Sequence, residues 1–144
     1  MRILVVGAGA FGTGLAIALG RKGPLTLWAR DSNHVASMNG ERENTKRLPG
    51  ASFPDSLIVT DQMSDADIVL LAVPMQQLSG TLVRYATAFE GKILVACCKG
   101  IDQATGLGPV EIIRNAVPSA TASILTGPSF AADIAADLPT ALTL

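Results

Sequence analysis

Short runs of apolar residues alternate along the chain with longer segments in which apolar residues recur at helical spacing. The first run, residues 3–6, is continuously aliphatic, which is typical of a strand buried on both faces of a parallel sheet. The same pattern predicts further strands at residues 25–29, 57–60, 67–73, 92–98 and 122–125, and the start of a seventh strand at residues 140–144.

Helical periodicity fills most of the intervals between these runs. Asp31 or Ser32 is a suitable N-cap for one such segment, and Pro128 suits the first turn of another. Residues 39–55 combine the densest charge with prolines and a glycine, and they are predicted to form a loop. The helices are predicted at residues 10–22, 31–38, 75–89, 106–117 and 129–136, with a short helical turn at residues 61–66.

This alternation of strands and helices predicts the fold class. It favours an α/β domain with a doubly wound, mostly parallel sheet that carries helices on both faces. A length of 144 residues fits one domain spanning residues 1–144. Because the chain ends inside an apolar run, we also expect it to be part of a longer polypeptide.

A glycine motif joins the first predicted strand to the first predicted helix. Gly7, Gly9 and Gly12 have the spacing G-x-G-x-x-G. In a Rossmann-type domain the first glycine permits a tight turn, the second lets the backbone approach a pyrophosphate, and the third allows close helix–strand packing. The motif therefore predicts a dinucleotide site, and a glycine-rich packing turn without a nucleotide is the alternative.

Composition excludes several classes of function. Residues 3–20 carry no charge, but their five glycines divide the apolar residues into two blocks, which argues against a membrane span or signal peptide. The net charge is −1 and aromatic residues are 4%, so we expect no nucleic-acid partner. The single histidine, His34, has no neighbouring histidine or cysteine, and we expect no metal site.

The end of the second predicted strand bears on the choice of cofactor. An NAD site usually has an acidic residue there, which binds the ribose 2′-hydroxyl. Here the strand runs into Arg30, whose guanidinium suits a 2′-phosphate, and Asp31 follows it. The pattern favours NADP, or the use of both NADP and NAD. An acidic role for Asp31, with Arg30 solvated, stays open.

Three further positions are candidates for chemistry. Lys99 lies at the carboxyl end of the fifth predicted strand, where a ligand of an open α/β sheet would bind. Gly127 and Ser129 precede the last predicted helix, and simple helix capping is the alternative role for Ser129. Cys97 and Cys98 are adjacent and are predicted to be buried strand residues.

Taken together, the motifs resemble NAD(P)-dependent glycerol-3-phosphate dehydrogenase, with the chain corresponding to its N-terminal dinucleotide-binding domain. The likeness extends over almost the whole chain. "CKGID" and "GPSFAADIAADLPTAL" are its specific parts, alongside "VGAGAFGTGLA", "LWARD", "N…RLPG" and "DADIVLLAVP". Two departures are Phe11, where the family commonly has Trp or Tyr, and "VPMQQ" in place of "VPS".

The resemblance implies a reaction and a set of residue roles. The reaction is hydride transfer between NAD(P)H and dihydroxyacetone phosphate, giving sn-glycerol 3-phosphate for phospholipid synthesis in the bacterial cytoplasm. Lys99 would touch both cofactor and substrate as an auxiliary catalytic residue. Gly127 and Ser129 would bind the substrate. The cofactor contacts would be Gly7, Gly9, Ala10, Phe11, Gly12, Arg30, Lys99 and Ala131.

The resemblance also implies a second, helical domain that carries the main catalytic lysine and that this chain lacks. We therefore expect the chain to bind a dinucleotide but to turn over poorly, and a homodimer is kept as a candidate assembly. Two alternatives stay open: a related dehydrogenase of the hydroxyisobutyrate or ketopantoate type, and a non-catalytic module that senses dinucleotides.

Overall fold

The computed structural model describes residues 1–144, and its central feature is a six-stranded sheet. The strands lie in the order β5-β2-β1-β6-β7-β8, and every neighbouring pair is parallel. This is the doubly wound order of the Rossmann fold, so the predicted fold class is confirmed. The strands of the sheet are β1 (Ile3–Val6), β2 (Leu25–Trp28), β5 (Leu57–Thr60), β6 (Ile68–Leu71), β7 (Ile93–Ala96) and β8 (Thr121–Ile124).

Helices cover both faces of this sheet because successive strand residues point to opposite sides. Val5 faces the layer formed by α1, α2 and α6, whereas Leu4 and Val6 face the layer formed by α3, α4 and α5. None of these helices is long and apolar enough to cross a membrane. The helices are α1 (Ala10–Gly20), α2 (Ser32–Glu41), α3 (Met75–Arg84), α4 (Ala86–Phe89), α5 (Pro109–Ala116) and α6 (Ala131–Ala135).

The prediction of a loop at residues 39–55 is wrong. The segment contains a small antiparallel hairpin of β3 (Glu43–Asn44) and β4 (Leu48–Ser52), in which Asn44 and Leu48 are buried. Pro49 is tolerated because the two-stranded ladder is irregular and its register shifts between Glu43 and Asn44. Most side chains of the hairpin are exposed and most are polar, so the sequence lacks the apolar run that predicts a strand.

Arg42 fastens the start of this hairpin to the main sheet. Its guanidinium donates hydrogen bonds to the backbone oxygens of Pro54, at 2.7 Å, and Leu57, at 3.2 Å. The guanidinium also lies over the ring of Phe53, 5.8 Å from the centroid. The hairpin is therefore attached to the amino end of β5 through a charged side chain.

The prediction of a helical turn at residues 61–66 is also wrong. Side chains form hydrogen bonds with the backbone groups that a helical turn would use. Trp28 Nε1 donates to the carbonyl oxygen of Asp61 at 2.9 Å, and Gln62 N donates to Thr60 Oγ1 at 3.0 Å. These local bonds compete with a helical turn.

The C-terminal residues form fewer regular elements than predicted. The last helix begins only at Ala131, with Phe130 as its N-cap, so Pro128 lies outside it. The predicted strand at residues 140–144 is reduced to a single antiparallel bridge between Thr126 and Thr143. The segment passes so close to Gly127 that an added Cβ there would lie 2.3 Å from the Ala141 oxygen.

The seating of α1 on the sheet gives a prediction for stability. An added Cβ at Gly12 would lie 2.1 Å from the Gly7 oxygen and 2.9 Å from the Ala72 Cβ. Because backbone must shift to admit it, we expect Gly12→Ala to lower the free energy of unfolding by at least about 2 kcal/mol. Urea unfolding followed by the fluorescence of Trp28, the one tryptophan, measures this loss.

Gly9→Ala is the matched control, because nothing lies within 4 Å of an added Cβ at Gly9. We expect it to cost less than about 1 kcal/mol, the scale of an N-cap change. Equal losses in the two variants would contradict the close-packing role given to Gly12.

Candidate functional site

A cleft of about 680 Å³ opens at the carboxyl ends of the central strands. Ligands of doubly wound sheets bind at this edge, where the chain order reverses on either side of β1. The cleft is lined by the turn after β1, the ends of β2, β6 and β7, and part of the hairpin. Of the residues predicted to bind a cofactor, it brings together Gly7, Gly9, Ala10, Phe11, Arg30 and Lys99.

The floor of the cleft is the glycine turn between β1 and α1. Gly7 has φ +113°, and its N–H donates to the Trp28 oxygen at 3.0 Å. An added Cβ at Gly7 would lie 2.6 Å from the Ala72 oxygen, so only glycine fits between the ends of β2 and β6. The turn is thereby held low against the sheet, which leaves room above it.

Gly9 and the first turn of α1 face that room. Gly9 is the N-cap of α1, it has no Cβ, and no side chain caps the helix. The first turn also carries no acidic residue that would repel an anion. Unpaired N–H groups and the positive end of the helix dipole therefore point at the cleft, which suits a pyrophosphate.

The end of β2 forms one side of the cleft. Trp28 is 5% exposed and packs edge-on against Tyr85, with ring centroids 5.3 Å apart. Arg30 is exposed, and its side chain makes no hydrogen bond or ion pair within the chain. Asp31 is the N-cap of α2, accepting from Asn33 N at 2.9 Å and His34 N at 3.4 Å through one oxygen.

Two of the three predicted substrate residues, Gly127 and Ser129, lie beside the cleft and do not line it. Lys99 lines the cleft, and its Nζ donates to the Gly127 oxygen at 3.3 Å. Ser129 is occupied elsewhere, because its hydroxyl pairs with that of Thr140 and donates to the Ala141 oxygen at 3.1 Å. The alternative role of Ser129 as the cap of α6 is wrong, since Phe130 is the N-cap and no side chain caps that helix.

Two predicted cofactor residues support the cleft from outside its lining. Gly12 is buried under the glycine turn, where it sets the approach of α1 to the sheet. Ala131 packs on the far side of that helix: an added Cβ at Gly14 would lie 2.7 Å from the Ala131 oxygen. The structure therefore brings Ala131 to α1, not to the cleft surface.

Sequence reasoning missed a group of site residues on and near the hairpin. Asn44 is fully buried, and its Nδ2 donates to the Ala8 oxygen at 3.0 Å and to Thr13 Oγ1 at 2.8 Å. Its Oδ1 accepts from the backbone N of Arg47 at 3.2 Å and is 3.0 Å from His34 Nε2. The one available signal was the "N…RLPG" motif, which was given no role.

These contacts place two further basic side chains, those of Lys46 and Arg47, on the cleft wall. The lining then carries four positive side chains, from Arg30, Lys46, Arg47 and Lys99, against the single carboxylate of Asp31. A cleft with low-dielectric walls concentrates such a field. The site is electrostatically suited to a ligand with several phosphate charges.

Cys97 and Cys98 also line the cleft, and both are 8% exposed. They belong to the two opposite core layers, so their side chains do not face one another. Burial raises the pKa of the Cys97 thiol to about 12, and it raises the pKa of Cys98 as well. Both are neutral thiols near pH 7. Their predicted burial is confirmed, but the prediction that they lie in the strand is wrong, because β7 ends at Ala96.

The fold and this cleft define the chain as a dinucleotide-binding domain of the Rossmann class. The family profile described as NAD-dependent glycerol-3-phosphate dehydrogenase N-terminus matches residues 2–144. The chain therefore belongs to the NAD-dependent glycerol-3-phosphate dehydrogenase family. This assignment displaces the hydroxyisobutyrate and ketopantoate alternatives.

Individual relatives agree with the family assignment. The chain is 58% identical over 147 residues to a glycerol-3-phosphate dehydrogenase [NAD(P)+] of Ruegeria sp. strain TM1040, and 52% identical to that of Roseobacter denitrificans. Each alignment covers 100% of this chain and 46% of the relative, so the chain spans less than half of their length. A crystal structure of glycerol-3-phosphate dehydrogenase from Coxiella burnetii matches with a TM-score of 0.91 and 29% identity, covering 98% of this chain and 45% of that one.

The raised thiol pKa values give a prediction for reactivity. With a native pKa of about 12, only roughly 10⁻⁴ of Cys97 is thiolate at pH 8, so we expect thiol reagents to modify it far more slowly in the native than in the urea-unfolded chain. An unfolded thiol ionises near its ordinary pKa of 9.0. The unfolded state therefore binds fewer protons between pH 9 and 12, and stability falls as the pH rises through that range.

A colorimetric disulfide exchange assay on Cys97→Ser and Cys98→Ser separates the two thiols. Rapid modification of Cys97 in the native chain at pH 8 would contradict its buried, protonated state.

Proposed function

We propose that the chain binds NADP(H) or NAD(H) as the N-terminal domain of a glycerol-3-phosphate dehydrogenase. The observation that carries this proposal is the contrast within the glycine motif. Gly7 and Gly12 are closed against backbone and the Ala72 side chain, whereas Gly9 is open to a cleft above an uncapped helix. A packing turn without a nucleotide has no need of the open position.

The pyrophosphate is proposed to bind over Gly9, against the backbone of Ala10 and Phe11 at the start of α1. Gly7 and Gly12 serve this contact indirectly, because they keep the turn and the helix low against the sheet. Ala131 takes a supporting role, since it holds α1 from the side of α6. Arg30 and Lys99 bound the two ends of the cleft.

NADP is the proposed preference. Arg30 offers an unpaired guanidinium at the end of β2, where the adenosine ribose lies in this fold. Asp31 is the alternative partner, for a free ribose hydroxyl. One of its carboxylate oxygens already accepts the backbone hydrogen bonds that cap α2. In the cleft as a whole, four basic side chains stand against the one carboxylate of Asp31.

The proposed reaction is reduction of dihydroxyacetone phosphate to sn-glycerol 3-phosphate, and its reverse. A nicotinamide held in the cleft would supply the hydride to the ketone carbon, and the proton on the ketone oxygen would come from the main catalytic lysine that the resemblance assigns to a second domain. Lys99 is proposed to polarise that oxygen; in support, it lines the cleft just after β7, and its Nζ donates to the Gly127 oxygen beside the cleft. Substrate contacts at Gly127 and Ser129 require Ser129 to release Thr140 and Ala141.

The setting of this reaction is part of the same proposal. Relatives of this chain carry the name glycerol-3-phosphate dehydrogenase [NAD(P)+]. We propose that the sn-glycerol 3-phosphate formed here feeds phospholipid synthesis in the cytoplasm. A homodimer of the longer protein is proposed as its assembly.

Calorimetric titration of the chain with NADPH and NADH tests the proposal. We expect saturable binding of both, with NADPH the tighter ligand. In Gly9→Ala the added methyl group occupies the path of the pyrophosphate, and we expect affinity for both dinucleotides to fall at least about tenfold, or about 1.4 kcal/mol. Absence of binding at millimolar dinucleotide, in a chain that unfolds cooperatively, would refute the proposed function.

Turnover by the chain is a separate prediction. Because Ser129 is engaged and Gly127 lies outside the cleft, we expect the 144-residue chain to reduce dihydroxyacetone phosphate at no more than roughly one hundredth of the rate of a full-length family member. Oxidation of NADPH followed by absorbance measures the rate. Comparable rates would show that this chain holds a complete catalytic site.

A further inference from the structure

We propose that the turn of the β3–β4 hairpin is a second basic arm of the cleft, in which Lys46 and Arg47 bind the 2′-phosphate of NADP opposite Arg30. This inference rests on the proposed dinucleotide function and deepens it. It gives a role to the "N…RLPG" motif, and it makes Lys46 and Arg47 specificity-determining residues for the adenosine end of the cofactor.

The first support is the position of the turn, which buried hydrogen bonds determine. Asn44 begins the turn and is bonded to Ala8, inside the glycine motif, and to Thr13 on α1. Two donated bonds from a fully buried amide are costly to break, since each would leave an unpaired polar group. The turn therefore keeps a fixed place beside the glycine motif.

The second support is that the side chains of Lys46 and Arg47 have no partner within the chain. Both are exposed, both line the cleft, and neither donates a side-chain hydrogen bond or forms an ion pair. The backbone of Arg47 is bonded to Asn44 Oδ1 at 3.2 Å, so its Cα is fixed while its guanidinium is free. Pre-positioned cations without partners are what a phosphate site requires.

The third support separates the 2′-phosphate from the pyrophosphate. The pyrophosphate already has the backbone N–H groups of the glycine turn and α1. At the ribose end, Arg30 is the one basic residue directly after β2, and Asp31 caps α2. His34 on α2 contacts Asn44, which joins the start of α2 to the hairpin turn and brings Lys46 and Arg47 towards that same end.

The test compares the affinities of NADPH and NADH in matched variants. Lys46→Gln combined with Arg47→Gln removes both charges of the arm. Lys22→Gln combined with Arg114→Gln removes the same two charge types from exposed positions outside the cleft. Arg30→Gln serves as the comparator for the other arm.

We expect the arm variant to lose at least about tenfold in NADPH affinity and less than about threefold in NADH affinity, which is the scale of one charged contact. The control pair should leave both affinities within about twofold. Equal losses for the two dinucleotides, or no loss of NADPH affinity, would overturn the inference. A wild-type chain that binds neither dinucleotide would instead refute the proposed function itself.

Asn44→Asp tests the positioning part without removing a cation. The carboxylate keeps the size of the side chain and can still accept from Arg47 N, but it cannot donate to Ala8 or Thr13, so the turn loses its bonds to the glycine motif and α1. We expect faster tryptic cleavage after Arg47 and at least a fivefold fall in the ratio of NADPH to NADH affinity, the scale of a lost buried hydrogen bond. An unchanged ratio with faster cleavage would deny Asn44 a positioning role; if this variant does not fold, the arm variant still decides the inference.

Discussion

The close approach of α1 to the strand ends is the constraint on which the rest of the structure depends. Gly12 permits it, because the space for a Cβ at that position is already filled by the backbone of Gly7 and the Ala72 side chain. Because α1 packs so close to the sheet, its uncapped first turn lies at the floor of the cleft and Gly9 faces open space. One steric contact therefore sets both the packing of a layer and the place of the anion site.

Asn44 transmits that geometry to a part of the chain outside the sheet. Through Ala8 and Thr13 it ties the hairpin to the same turn that α1 rests on. The wall of the cleft and its floor thus share one buried hydrogen-bond network. A change in the wall would alter the floor, and the reverse, because Asn44 and Thr13 are fully buried and losing a partner would leave an unpaired polar group.

The sheet and its glycine turn could be predicted from the sequence because their signals are local. Four aliphatic residues before Gly7 and a helix after it define β1, the turn and α1 without reference to any distant residue. The hairpin could not be found in this way. Its order comes from Asn44 bonded to residues 36 and 31 positions earlier, and local polarity predicted a loop. The capping role considered for Ser129 was wrong for a similar reason. Its partners Thr140 and Ala141 lie beyond the helix that it would have capped, so no local pattern indicates them.

The two attachments of the hairpin have a consequence for the entropy of binding. Arg42 holds its start to the strand edge and Asn44 holds its turn to the glycine motif, so the backbone around Lys46 is ordered before any ligand arrives. Closing a flexible loop over a cofactor loses backbone freedom at about 1–2 kcal/mol for each residue fixed. Here only the long side chains of Lys46 and Arg47 would lose conformational entropy on binding. A ligand can therefore bind at this wall of the cleft without ordering the backbone first.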